Sequence, residues 1–376
     1  MKIAFVSDTH FGYERFEEDA YLQGKEAILS ASKNADIILL GGDIFDKRNP
    51  NLDTILKVVE ILMEAKQNLA SKFGKKILAI AGTHELTAKN TLNVISFLEK
   101  IGILENPANR EIIIEDENGD KKTKILIRGL NGVPEEIAKL AFEKIGEKKP
   151  HGDFNIFVFH QTLKEFVPGT NEDFASFEDL PEGYDLYLCG HIHNRREYMN
   201  GRLQIPGSTL ITQLKDEEQE QKGYIIIDTE NKKIEFVPIK TRKFIVKEIE
   251  FKQANTHTLK TVILEELKKI VEENRGENPI VKIKLKGSLA SGLMQSELSL
   301  TPNPEIYYLE LDNQLEGLSI IEQLDIIKKE IKKEDYSSEK IEEIGMRFLF
   351  QNASSLNISK EEAYGFFKKF LNEEKN

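Results

Sequence analysis

Five apolar runs, each leading into a residue able to bind a metal, constrain this chain more than any other feature. Residues 2–7 lead into Asp8 and His10, and residues 37–40 into Gly41, Gly42 and Asp43. Residues 77–81 are followed by Gly82, Thr83, His84 and Glu85, residues 156–159 by His160, and residues 186–189 by Gly190, His191 and His193. A short apolar run bounded by polar residues reads as a buried strand. Open α/β sheets collect their ligands at the carboxyl ends of the strands, so five such exits bring these side chains into one pocket. Five of the seven histidines stand at these exits; His151 and His257 read as ordinary loop residues.

Between the runs, apolar spacing predicts helices over 16–33, 52–73 and 91–101, the second with Leu52, Ile55, Leu56, Val59, Leu62 and Met63 on one side. Residues 111–115 and 124–128 flank Asn118-Gly119 and read as a hairpin. Pro134 opens a helix to 145 as its first helical residue. Short strands follow at 197–199, 203–205, 224–228 and 234–238. The fold class is therefore α/β: two stacked mixed sheets flanked by helices.

A boundary falls near Lys240. Residues 1–240 carry the ligand-bearing exits. Residues 241–311 read as a small α+β cap, with strand 244–251, helix 259–273 and strand 280–286. A Lys- and Glu-rich connector takes 312–336, and 337–376 read as a helical pair. Its first helix has Ile341, Ile344, Phe348 and Leu349 on one stripe. Its second opens on a capping box at 359–362 and presents Phe366, Phe367 and Phe370 on one face. Two short helices cannot bury that much apolar surface against each other, so they dock on the rest of the chain or on a partner.

The formal net charge of −12 disfavours polyanion binding by the surface as a whole, so nucleic acid would need a local basic patch or bound cations. Residues 240–290 supply a candidate, with twelve Lys or Arg against seven Glu, among them Arg242, Lys243, Lys282, Lys284 and Lys286. The same pattern suits an ordinary solvated surface. The lone Cys189 excludes an intrachain disulfide and reads as a core thiol. No run is long and apolar enough to cross a membrane, and the first is too short for a signal-peptide core, so the expectation is a cytoplasmic protein.

Imidazoles with carboxylates suit a first-row dication such as manganese, iron or zinc. Asp8, His10, Asp43, His160, His191 and His193 are more ligands than one open catalytic ion needs, and they suit two. Two ions clamp a phosphoryl centre, activate a water and stabilise the leaving oxygen. Asp43 is the natural bridge, and His84, beside the pocket, is placed to protonate a leaving alkoxide or to bind a phosphate oxygen.

Taken in order, Asp8-x-His10, Gly42-Asp43, Gly82-x-His84-Glu85, His160 and Gly190-His191-x-His193 resemble the calcineurin-like metallophosphoesterase superfamily. The stretches 7–12, 41–46, 159–161 and 206–209 narrow the resemblance to its archaeal Mre-eleven family of repair nucleases. The motifs cover residues 1 to about 240; beyond that the match is one of position and composition. The resemblance implies a four-layer sandwich and a nuclease with two manganese ions per subunit, acting as a single-strand endonuclease and a 3′ to 5′ exonuclease at double-strand breaks. It implies that Asp8, His10, Asp43 and His193 hold one ion, that Asp43, position 83, His160 and His191 hold the other, and that His84 is catalytic. It also implies a homodimer through helices of the first domain, a DNA-contacting cap, and a C-terminal helix pair bound to a Rad-fifty type ABC ATPase.

Two departures stand out. Thr83 occupies the place of the family's asparagine ligand, with a hydroxyl one atom shorter. Asp46 stands where many members carry a histidine, and the exonuclease is the activity it puts in question. A phosphoesterase acting on small esters shares the site, and a catalytically weak DNA-end scaffold that regulates an ATPase is the other alternative.

Overall fold

Alternate residues of the buried strands face opposite ways, and that alternation sorts the first part of the chain into layers. A computed structural model describes residues 1–69, 71–87, 91–118, 121–170, 172–290 and 303–316. It divides into two compact units, Met1–Arg242 and Lys243–Asn376.

The strands of the first unit are β1 (Lys2–Val6), β2 (Ile37–Leu40), β3 (Ile77–Ala79), β4 (Ile112–Asn118), β5 (Lys121–Leu130), β6 (Phe154–Phe159), β7 (Leu186–Cys189), β8 (Arg196–Tyr198), β9 (Leu203–Ile205), β10 (Gly223–Asp228) and β11 (Lys233–Pro238). Its helices are α1 (Glu17–Asn34), α2 (Leu52–Asn68), α3 (Val94–Lys100) and α4 (Glu135–Gly146). One sheet has the order β11-β10-β1-β2-β3, the other β4-β5-β6-β7-β9-β8. In both, the strands that lead into the site run parallel, β1 with β2 and β3, and β6 with β7. The antiparallel β4–β5 pair is the expected hairpin.

Ile3 and Phe5 of β1 pack with Leu39, Leu78, Ile156 and Leu188 in the core between the sheets. Their neighbours Ala4 and Val6 face the other way, into a core beneath the helices that includes Ile28, Val58, Leu62 and Ile95. A third core holds Phe142 of α4 against Phe157, Phe159 and Tyr187. Three cores between four layers make the expected sandwich.

Two helices differ from the spacing-based reading. The apolar side of α2 is split: Val58, Ile61 and Leu62 are buried, whereas Leu52, Leu56 and Met63 are exposed. The helix ends at Asn68 because Leu69 is extended. Pro134 is the N-cap of α4 rather than its first residue, with an extended ψ of 140°.

In the second unit β12 (Phe244–Ala254), α5 (Thr256–Glu273), β13 (Ile280–Leu289) and β14 (Tyr308–Glu316) form a wholly parallel sheet of order β12-β13-β14. Parallel neighbours need a crossover, and α5 supplies it, a βαβ arrangement tighter than the α+β module expected. The Asn255 side chain accepts from the Thr258 N–H and caps α5, which therefore starts ahead of residue 259. Strand β14 continues through 312–316, residues expected to open the connector. The expected helical pair, with Ile341, Ile344, Phe348, Leu349, Phe366, Phe367 and Phe370, lies outside the described residues.

Candidate metal centre

The loops that leave β1, β2 and β7 use unusual backbone at their ligand residues. Asp8, His10, Asp43 and His191 all have positive φ, at 55°, 45°, 47° and 78°. A residue with a Cβ resists that region, at a cost of roughly 1–3 kcal/mol each, and such strain gathers where function demands a particular side-chain direction. Backbone hydrogen bonds lock the first two loops together, from Asp8 to the Gly42 carbonyl and from His10 to the Asp43 carbonyl. At Gly82 a Cβ would collide with the Asp43 carboxylate, so only glycine lets the third loop close over it.

Three ligand groups result. Asp8, His10 and His193 form the first, Asp43, His160 and His191 the second, and His10, Asp46 and His84 a third that shares His10 with the first; the potential ligand atoms of each group lie within 4.8 Å of one another. In the first, His10 Nε2 and His193 Nε2 are 3.2 Å apart and Asp8 lies 3.8 Å from His193. In the second, His160 Nε2 is 3.0 Å from Asp43, while its Nδ1 donates to the Gly41 carbonyl at 2.7 Å, which fixes the tautomer and aims Nε2 inward. The backbone N–H of His191 donates to the Asp8 carboxylate at 3.0 Å and joins the groups. Thr83 lies beside the second, its hydroxyl donating to Asp43 at 3.2 Å. His84 is half-exposed, and its Nδ1 donates to the Asp46 carbonyl.

The electrostatics call for a cation. Burial pushes the Asp8 carboxyl up to about 6, with the Asp43 carboxylate adding to it and His160 opposing. Burial acts the same way on Asp43, yet His160 outweighs it and holds that carboxyl well below the usual range. Burial disfavours charge on His160, but Asp43 and Asp8 prevail and raise it to about 10. Burial, then His160, pulls His191 down to about 4, and burial followed by His10 and Lys222 takes His193 well below its usual value. Two buried carboxylates are thus balanced by a proton on His160, in the place a metal would take. His160 Nε2 and His10 Nδ1 are buried and make no well-aligned hydrogen bond, facing instead the carboxylates of Asp43 at 3.0 Å and Asp46 at 3.3 Å. Two imidazole nitrogens on one ion, each about 2.1 Å from it, are spaced much as His10 and His193 are. The donor set therefore fits divalent cations.

Two residues named in the sequence analysis have structural roles that it did not assign. Fully buried Glu85 accepts N–H bonds from Asp43, Phe45 and Gly82, tying the second loop to the third, and burial followed by Asp43 raises its carboxyl to about 7. Its position right after His84 was the only signal. Asp46 lies 3.3 Å from His10 and 3.7 Å from His84, so it braces both rings. Cys189 is a buried free thiol, raised well above its usual range by burial.

The basic residues are differently placed. Arg242 grips Asp19 through Nε and Nη2 at 2.7–3.0 Å. Lys243 meets Asn274 and Glu277. On β13, Lys282, Lys284 and Lys286 alternate with buried Val281, Ile283 and Leu285, and pair in register with Glu310, Asp312 and Gln314 of β14. Glu248 and Glu250 of β12 stand opposite Lys284 and Lys286.

Residues 1–195 match the family model of the calcineurin-like phosphoesterases, and the chain belongs to that family. It is 27% identical over 308 residues to the DNA double-strand break repair protein Mre11 of Methanopyrus kandleri, covering 74% of this chain and 66% of that protein. The Mre11 of Archaeoglobus fulgidus is 28% identical over 284 residues, 66% of this chain and 62% of the relative. The mouse double-strand break repair protein MRE11 is 24% identical over 304 residues, 66% of this chain and 42% of that protein. The chain thus spans just under two thirds of the two archaeal proteins. No described helix is long and apolar enough to cross a membrane.

Proposed function

We propose that this chain is a manganese-dependent DNA nuclease holding two ions per subunit, which processes double-strand-break ends as a single-strand endonuclease and a 3′ to 5′ exonuclease. The observation that carries the proposal is the pair of adjoining ligand groups, Asp8, His10 and His193 beside Asp43, His160 and His191. Two ions at such a site stabilise both the attacking and the leaving oxygen of a phosphodiester and lower the pKa of water.

Asp8, His10, Asp43 and His193 would hold one ion, and Asp43, Thr83, His160 and His191 the other. The Thr83 hydroxyl offers a neutral oxygen beside Asp43. With a proton on Nε2 as well, His84 could donate to a phosphate oxygen or give that proton to a leaving alkoxide, while Asp46 holds the ring's other side.

The proposed organisation is a nuclease domain over 1–240, a DNA-contacting cap over 241–311, and a connector to a helical pair at 337–376 that binds a Rad-fifty type ABC ATPase. Exposed Leu52, Leu56 and Met63 on α2, with Phe97 on α3 and Ile101 at its end, support a homodimer through these helices. The excess of cations supports the cap as the DNA contact, through Arg242, Lys243, Lys282, Lys284 and Lys286. The cytoplasm is the proposed location.

Manganese-dependent cleavage of linear double-stranded and circular single-stranded DNA, beside His84→Ala, tests the proposal. Cleavage of both, lost in the variant, is expected. Cutting of the circle alone would restrict the chain to endonuclease work. Hydrolysis of nitrophenyl phosphate without DNA cleavage would favour small esters, and inactivity with every metal would sink the nuclease.

A further inference from the structure

Behind His193 lies a buried polar chain that the ligand groups do not include. His193 Nδ1 is in hydrogen-bond contact with Thr212 Oγ1, and Thr212 Oγ1 lies 3.2 Å from Glu218 Oε1. The other carboxylate oxygen of Glu218 is ion-paired with Lys222, and both side chains are almost wholly buried. Glu218 sits in the acidic run 216–220, and it alone of that run is buried.

Proton counting sets the direction of the chain. Glu218, facing an ammonium, only accepts: from Lys222, from Thr212 and from the Gln213 N–H. The single hydroxyl proton of Thr212 is therefore committed to Glu218, and its oxygen has only a lone pair to offer His193. His193 must carry its proton on Nδ1, which leaves Nε2 bare where it faces His10 and Asp8.

Lys222 uses its remaining protons on two loops, donating to the His193 carbonyl at 3.0 Å and to Ser208 Oγ at 3.1 Å. Tyr13 donates to the Thr212 carbonyl at 2.7 Å and holds the relay from the other side. Ring and backbone of His193 are thus fixed by one network.

We infer that Thr212, Glu218 and Lys222 are positioning residues that hold His193 in its Nδ1–H tautomer and present Nε2 to the ion shared with Asp8 and His10. This rests on the two-ion reading above. The relay touches neither Asp43 nor His160, so its loss weakens one ion and spares the other. A buried ion pair that merely stabilised the fold would have no such selectivity.

Long-range proton–nitrogen spectra of the metal-free protein, with the His193 signals assigned through His193→Gln, read the tautomer directly. Wild type is expected to show a protonated Nδ1 and a bare Nε2, Thr212→Val a mixture of tautomers, and Thr212→Ser the wild-type pattern. Calorimetric manganese titration should then show one of two affinities reduced roughly 10- to 100-fold in Thr212→Val and in Glu218→Gln, the other unchanged, and Thr212→Ser with both at their wild-type values. An Nε2–H tautomer in wild type, or a Thr212→Val protein with wild-type tautomer and affinities, would overturn the inference. So would equal weakening of both ions, which a general loss of structure produces. Wild type that binds fewer than two ions would instead overturn the two-ion reading, and the spectra would still decide whether the relay sets the ring.

Discussion

The strand exits of the first unit and the lysine row of β13 are both dense in charge, and the structure treats them in opposite ways. At the exits, carboxylates and imidazoles crowd together in the interior, four of them on strained backbone, with two buried carboxylates balanced by a proton on His160 where a metal would sit. On β13 each lysine has carboxylates or amides alongside on neighbouring strands, and Lys282 and Lys286 are ion-paired. The fold completes the second set by itself and leaves the first incomplete. Burying charge without completing it is costly, so the incomplete set marks where a ligand belongs.

Breaking the incomplete set should have the largest effect. Asp43→Ala removes the carboxylate proposed for both ions, and nuclease activity should fall about 10³-fold or more, measured with saturating manganese. Glu85→Ala leaves three buried N–H groups without an acceptor, and a loss of about 3 kcal/mol is expected in denaturant unfolding, together with weaker metal binding. Full stability in that variant would show that the two loops do not depend on this brace.

Acidity probes the same set more gently. The metal-free His160 stays protonated up to about pH 10, and a metal needs its Nε2 bare, so binding must expel that proton. Affinity should therefore rise by roughly tenfold per pH unit from about 6 towards 10, and fall more steeply below about 6, where Asp8 also takes a proton. Calorimetry in buffers of different ionisation enthalpy counts the protons released; none released would contradict this assignment of charge.

The completed set should respond least. Replacing Lys282, Lys284 and Lys286 together by alanine is expected to weaken DNA binding modestly and to lower the salt slope by less than about three, because flanking carboxylates compete for each cation. An unchanged slope would remove this sheet from the DNA contact and deepen the contrast between the two regions.

Much of this was legible in the chain. Runs such as 37–40 and 186–189 are too short and too apolar to be anything but buried strands, and the ligands at their ends follow from the polarity of sheets. The layers follow as well, since the alternation at Ile3, Ala4, Phe5 and Val6 assigns each residue to a core. Helix α2 was harder: periodicity finds an apolar side but not what covers it, so buried Leu62 and exposed Leu56 read alike.

By itself the sequence determined which residues can bind metal and that they stand at strand exits, because residue type and local pattern are properties of the chain. Only the tertiary structure decided how closely the ligands approach one another, that Asp46 joins His10 and His84, that Glu85 braces the loops, and that Glu218 turns inward to Thr212 and Lys222 while its neighbours face solvent. Those outcomes depend on distances between residues up to some 180 positions apart, such as Asp8 and His191. They depend equally on the burial that makes an unpaired polar atom costly. Neither quantity exists until the sheets are packed.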